Sequence, residues 1–215
     1  MFTELTLNTL LIYIGDVAFV IGGIYASKKL NLHWFVQWLS GMSTAFFGGL
    51  FLRDLLLLQA TPAIFGSPLE ITATAAVGIF TVFIFKKRLP GKAFNWLICI
   101  IDSVGIMGSA AAGFGRGTGA NVVIAVACGF VTACGGGIIA AAIRAAAKKS
   151  IKKFFETLTN NRWYYVFGAT MSIAYGILHS LGRSKDTTLL VLTAAAIIIG
   201  LFVEKDKLMR SQRRP

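Results

Sequence analysis

Residues 119–147 read GANVVIAVACGFVTACGGGIIAAAIRAAA, and the only charge among them is Arg144. Such a run exceeds the roughly 20 residues that a helix needs to cross a ~30 Å hydrocarbon core. It does not alternate in polarity, as a spanning strand would. It therefore predicts a transmembrane helix. Charges divide the rest of the chain into six more apolar stretches, at 7–26, 30–58, 69–85, 93–113, 163–181 and 187–203. The expected fold is an all-α integral membrane protein with seven transmembrane helices, a single transmembrane domain over 1–215.

Composition points the same way. The chain is 56% hydrophobic and only 14% charged, against about 25% charged in an ordinary soluble domain. That excludes an average soluble enzyme, a disordered chain and a nucleic-acid-binding domain of the usual kind. The net charge of +12 would mark a nucleic-acid partner in a soluble protein. Here the cations gather at alternate segment ends. One side holds Lys28 and Lys29; Lys86, Lys87, Arg88 and Lys92; Lys148, Lys149, Lys152, Lys153 and Arg162; and Lys205, Lys207, Arg210, Arg213 and Arg214. The other holds only Arg116, Arg183 and Lys185. Positive-inside bias then predicts an outer N-terminus and a cytoplasmic C-terminus, with basic loops that suit anionic lipid headgroups. Cys99, Cys128 and Cys134 have neither disulfide nor metal spacing. No cleavable signal peptide is expected. No Walker motif, nucleophile elbow or zinc spacing appears, so neither an enzyme nor a cofactor is expected. Gly115–Ala120 fits a dinucleotide fingerprint only loosely and reads as an outer turn.

The two halves share a pattern. Asp16 precedes Gly22 as Asp102 precedes Gly108, and Gly48-Gly49 is echoed by Gly135-Gly136-Gly137. Helices one to three (7–88) thus correspond to helices four to six (93–182), leaving a seventh helix (187–203) and a basic tail (204–215). Three helices are an odd number, so the second unit enters the membrane from the opposite side. Inverted repeats of this kind build transport paths near the midplane. Glycine runs weaken a helical ladder, and freed carbonyls are tolerated only inside protein or beside a wet cavity. The two glycine runs are expected to flank one permeation path, though glycine also serves plain helix packing.

Asp16 and Asp102 are intramembrane carboxylates, functional or structural. Arg53 and Asp54 follow the first glycine pair. Adjacent helical residues do not face each other, so no mutual pair is expected. Arg53 either snorkels to the outer interface or faces the path and gates it. Arg144 is expected to snorkel at the inner end. Ser43, Thr44, Thr132 and Asn121 are candidate path-lining groups. His33 and His179 read as interfacial, and Trp34, Trp38, Trp96, Trp163, Tyr164 and Tyr165 as aromatic belts.

The run Gly48, Gly49, Arg53, Asp54, the triple glycine at 135–137, and Asp102 to Gly105 resemble the trimeric intracellular cation (TRIC) channels and their prokaryotic glycine-transporter-domain relatives. The resemblance covers nearly the whole chain. It implies a homotrimer of seven-helix subunits, each with its own pore for monovalent cations, chiefly K⁺, between the second and fifth helices. The expected lack of a targeting segment and the compact loops point to a prokaryotic version in a cell membrane. One departure stands out: many relatives carry charge after the second glycine run, where this chain has Ala140-Ala141-Ala142. The absence of a TVGYG-type filter predicts weak discrimination of K⁺ from Na⁺. A small-solute carrier for glycine or another amino acid uses the same repeat logic. A purely structural assembly protein would have a dry interior instead.

Overall fold

The computed structural model of the chain describes residues 7–62, 68–87 and 91–212. Arg88, Arg213, Arg214 and the first six residues lie outside the described residues. Every described element is a helix. They are α1 (Leu7–Lys29), α2 (Trp34–Met42), a π-helical stretch that continues α2 without a break (Ser43–Leu57), α3 (Pro68–Lys87), α4 (Lys92–Gly117), α5 (Val122–Ala147), α6 (Ile151–Asn160), α7 (Arg162–Ser180) and α8 (Lys185–Gln212). Among the described residues, six segments are long and apolar enough to cross a membrane: Thr9–Lys29, Trp34–Leu57, Pro68–Lys86, Trp96–Gly117, Val122–Ala147 and Lys185–Val203. Helix α7 is not among them; its 19 residues carry four aromatic rings with polar tips and a histidine.

The turns follow from local chemistry. Asn31, with φ of 51°, closes α1, and His33 opens α2 by accepting the Phe35 N–H at Nδ1. Asn121 accepts the Ile124 N–H at 2.9 Å and caps α5. It is therefore an exposed capping residue and does not line a path. At the end of α5, Lys149 takes a φ of 49°. The Ser150 N–H reaches back to the Ala145 carbonyl at 3.1 Å, and the Lys149 N–H to Ala146 at 2.9 Å. This is a left-handed helix stop. The ten-residue α6 was not legible as an apolar stretch, because its apolar residues occupy only one face.

Small residues govern the packing. Between lipid-solvated helices there is little hydrophobic drive, so association rests on close contact and on internal hydrogen bonds. Helices α1 and α4 run antiparallel and touch backbone to backbone. A methyl group built on Gly15 would lie 2.5 Å from Gly105 Cα, and one on Gly108 would lie 3.0 Å from the Leu11 backbone. Helix α3 packs on α1 and α2, as α7 packs on α4 and α5. One buried cluster joins Phe19 to Ile106, Met107, Phe114, Met171 and Tyr175; a second joins Val20, Ile24, Met42, Val82 and Phe85. Phe80 and Phe83 on α3, and Val191 and Phe202 on α8, point outward, as a lipid-facing surface requires.

Replacing Gly105 with Leu should separate α1 from α4 at an overpacking cost of about 1–3 kcal/mol. The expected readout is a lower heat-aggregation midpoint in detergent. Gly119→Ala, where a methyl group meets nothing within 4 Å, should leave the midpoint unchanged.

Candidate functional site: a glycine crossing between two buried arginines

The two glycine-bearing spans meet. A methyl group on Gly48 would lie 2.6 Å from the Val131 carbonyl oxygen, 2.7 Å from Gly136 N and 3.0 Å from the Thr132 carbonyl oxygen. A methyl group on Gly136 would collide with the Thr44 carbonyl oxygen and lie 2.5 Å from that of Ser43. Each glycine thus sits on two carbonyls of the opposite span, and the two halves of the contact correspond residue by residue. The correspondence extends outward. Gly23 of α1 abuts Thr44 and Ser40, as Gly113 of α4 abuts Thr132 and Cys128; Gly41 abuts the Val20 carbonyl, as Gly129 abuts that of Ala110. Thr44 donates to the Ser40 carbonyl at 2.8 Å, and Thr132 to that of Cys128 at 2.6 Å.

The spans differ in their own geometry. Around Gly48-Gly49 the ladder widens to i→i+5 turns through Ser43–Leu57 and ends with the Leu58 N–H donating to the Arg53 carbonyl at 2.9 Å. Such turns are rare and gather at functional sites. The expected loosening therefore occurs in the first glycine run. It does not occur in the second: α5 stays α-helical from Val122 to Ala147. Its alanines, strong helix formers, carry the triple glycine. Only Gly48, Gly135 and Gly136 form the crossing. A methyl group on Gly49 would meet the Arg53 guanidinium at 3.5 Å, and one on Gly137 the Tyr164 ring at 3.4 Å.

Arg53 and Asp54 overturn two expectations. They form a bidentate pair, Nε to Oδ1 at 2.5 Å and Nη2 to Oδ2 at 2.9 Å. Wide π turns advance fewer degrees per residue than α turns, so neighbours lie closer in direction and the long arginine folds back. Nor does Arg53 snorkel: it is 7% exposed, and Asp54 is fully buried. Arg53 also donates to Thr132 Oγ1 across the crossing at 3.3 Å. Arg116, at the end of α4, approaches Asp54 at 4.0 Å and donates to the Thr61 carbonyl at 3.5 Å.

Arg144 does not snorkel either. It is 7% exposed and donates to Ser40 Oγ on α2 at 2.7 Å. One arginine from each span thus reaches a hydroxyl on the other, on opposite sides of the glycine contact. Arg144 lines a cavity of about 410 Å³, together with Gly22, Gly23, Lys29, Thr44, Asp102, Ser103, Gly137, Asn161, Trp163 and Tyr165. This cavity opens toward the basic end and reaches the crossing through Thr44 and Gly137.

The other expected residues separate. Asp102 lines the cavity, whereas Asp16 is buried between α1 and α3 beside Glu70 and leaves its Oδ2 without a hydrogen-bond partner. Ser43 is fully buried and donates to the Leu39 carbonyl at 2.7 Å. Ser40, Gly23, Gly113 and Arg116 were not singled out from the sequence. The matched glycines of α1 and α4 were the available signal, since each needs a close neighbour to justify it.

These features define a polytopic helical membrane protein built around a glycine crossing. A family model described as glycine transporter matches residues 9–87 of the chain. The inner membrane protein YadS of Escherichia coli K12 is 28% identical to it over 130 residues, 59% of this chain and 60% of YadS. The chain thus spans 60% of the length of the curated relatives it matches. Its fold is that of the TRIC channels, as the sequence resemblance implied. A TRIC cation channel solved to explain conductance superposes with a TM-score of 0.74 at 24% identity, covering 94% of this chain and 95% of the channel. The trimeric intracellular cation channel orthologue from Rhodobacter sphaeroides gives 0.71 at 25% identity, covering 93% and 97%. A prokaryotic TRIC channel in 0.5 M KCl gives 0.72 at 20% identity, covering 94% and 97%.

Asp54→Asn should strand Arg53 as a buried charge and destabilise the protein by about 3–5 kcal/mol. The double variant Arg53→Met, Asp54→Leu should recover most of that loss. Melting of the purified single and double variants checks both expectations.

Proposed function

We propose that the protein is a passive channel for monovalent cations, with one path in each subunit of a homotrimer. Six apolar spans and α7, roughly 28 Å long at 1.5 Å per residue, make seven crossings in a prokaryotic cell membrane. The N-terminus is outside and the basic end cytoplasmic. Helices α1 to α3 and α4 to α7, with α6 as an insertion, form the inverted repeat. The contact of Gly48 with Gly136, and the matching contacts of Gly23 with Thr44 and of Gly113 with Thr132, support that reading. The fold shared with TRIC cation channels supports the ion.

The observation that carries the proposal is the cavity that ends on the crossing of two glycine spans within one subunit. A cation enters from the basic end past Asp102, Ser103 and Thr44. Gly48, Gly135 and Gly136 form the constriction, flanked by Gly49 and Gly137, and Thr132, Arg53 and Asp54 lie beyond it, with Ser43 behind the wall. With Gly48 seated on Val131 and Thr132 the constriction is shut. Opening it requires the two spans to part, which breaks the bonds Arg53 to Thr132 and Arg144 to Ser40. Asp16 holds α1 to α3 and does not touch the ion. The sequence has no TVGYG-type filter, so K⁺ and Na⁺ both pass, K⁺ somewhat better.

One observation favours a second reading, a carrier of glycine or a similar amino acid. Asp102 and Arg144 share one cavity, and opposite charges of that kind suit an ammonium and a carboxylate. Planar-bilayer recording separates the two. The channel reading expects unitary K⁺ and Na⁺ currents within about tenfold of each other, and longer openings in the double variant Ser40→Ala, Thr132→Val. Gly48→Leu should abolish current. Silence at every voltage and Ca²⁺ level, with saturable glycine counterflow in vesicles, would establish the carrier instead.

A further inference from the structure

We infer that the groove between the end of α5 and α6 seats an anionic phospholipid from the leaflet at the basic end, with its phosphate on Lys149 and one acyl chain along α5. The groove encloses about 370 Å³ and is lined by Ala142, Ala145, Ala146, Lys149, Ser150, Ile151 and Phe154. Three alanines give it a smooth apolar floor, and Ile151 and Phe154 form its wall. Its single charge is at the mouth.

Helix α6 has the build of an interfacial helix. At 3.6 residues per turn, Ile151, Phe154, Phe155 and Leu158 share one arc, and Lys152, Lys153, Glu156 and Asn160 share the opposite one. The apolar arc is not consumed by the protein: Ile151 is 78% exposed and Phe155 59%. A short helix with this division lies in the membrane surface, apolar side down.

The charge pattern identifies the occupant. Residues 148–162 hold Lys148, Lys149, Lys152, Lys153 and Arg162 against Glu156 alone, and Lys152 lies 4.0 Å from that glutamate. Lys149 occupies the left-handed position of the helix stop, where glycine is the unstrained choice. A lysine there keeps a cation at the mouth of an apolar furrow at some conformational cost. A free phosphate has no use for the furrow and a neutral lipid has none for the lysine; an anionic phospholipid uses both. The furrow lies on the face of α5 that carries Ala142 and Ala146, whereas Arg144 serves the larger cavity.

The test is native mass spectrometry of the full-length protein from micelles doped equally with palmitoyl-oleoyl phosphatidylglycerol and the matching phosphatidylcholine. The wild type should retain phosphatidylglycerol at least fivefold over phosphatidylcholine. Lys149→Gly, which removes the charge and relaxes the turn, should erase that preference without lowering the melting temperature. Ala146→Phe should fill the furrow and lower retention of both lipids. Equal retention by the wild type, or a preference that survives both variants, overturns the assignment. So does a preference lost in Arg144→Gln yet kept in Lys149→Gly, which moves the lipid to the larger cavity. Dissociation of the oligomer by Ala146→Phe with the preference intact would make the groove an interface between copies, and would also overturn it.

Discussion

The approach of two peptide backbones at Gly48 and Gly136 is the constraint on which the structure depends. Helices in hydrocarbon cannot gain by hiding apolar side chains from a solvent that is itself apolar. They gain by coming close enough for backbones to touch, and only glycine permits that here. The same device recurs at Gly15 with Gly105, and at Gly23 and Gly113 against the glycine spans. Because the spans lie so near one another, Arg53 can reach Thr132 and Arg144 can reach Ser40. Larger side chains at the crossing would put both hydroxyls out of range.

The electrostatics of the two halves diverge where their packing agrees. The first half holds a buried pair, Arg53 with Asp54, approached by Arg116. The second half places Ala140-Ala141-Ala142 at the corresponding turn, and among the described residues Arg144 makes no ion pair. A buried charge without a counter-charge is costly in a low-dielectric interior. Arg144 meets that cost by facing the cavity, where water can solvate it. The backbone symmetry therefore carries an asymmetric field, with a neutralised arginine on one side of the crossing and a bare one on the other.

Much of the fold was legible because bilayer thickness sets span length and charge cannot sit just anywhere. The glycine positions were legible for a related reason: a residue so costly to a helix signals a neighbour that needs the space. Other features were not legible, because they depend on partners that no local reading supplies. Asp16 and Asp102 sit in matching sequence surroundings, yet α3 and Glu70 enclose the first while the cavity exposes the second. The pairing of Arg53 with Asp54 contradicts α-helical geometry and became possible only because the span leaves that geometry. Asn121 read as a path residue from its place on the span, but its side chain serves the first turn of α5.

The wide-turn stretch Ser43–Leu57 has a mechanical corollary. An i→i+5 bond and an i→i+4 bond use the same donor with neighbouring acceptors, so one can replace the other without leaving a peptide group bare. Each exchange screws the segment around its axis and lengthens it slightly. Such a segment behaves as a threaded rod set against a fixed nut, the regular α5. Rotation of that rod would swing Asp54 and Arg53 around the rim together, as a single key.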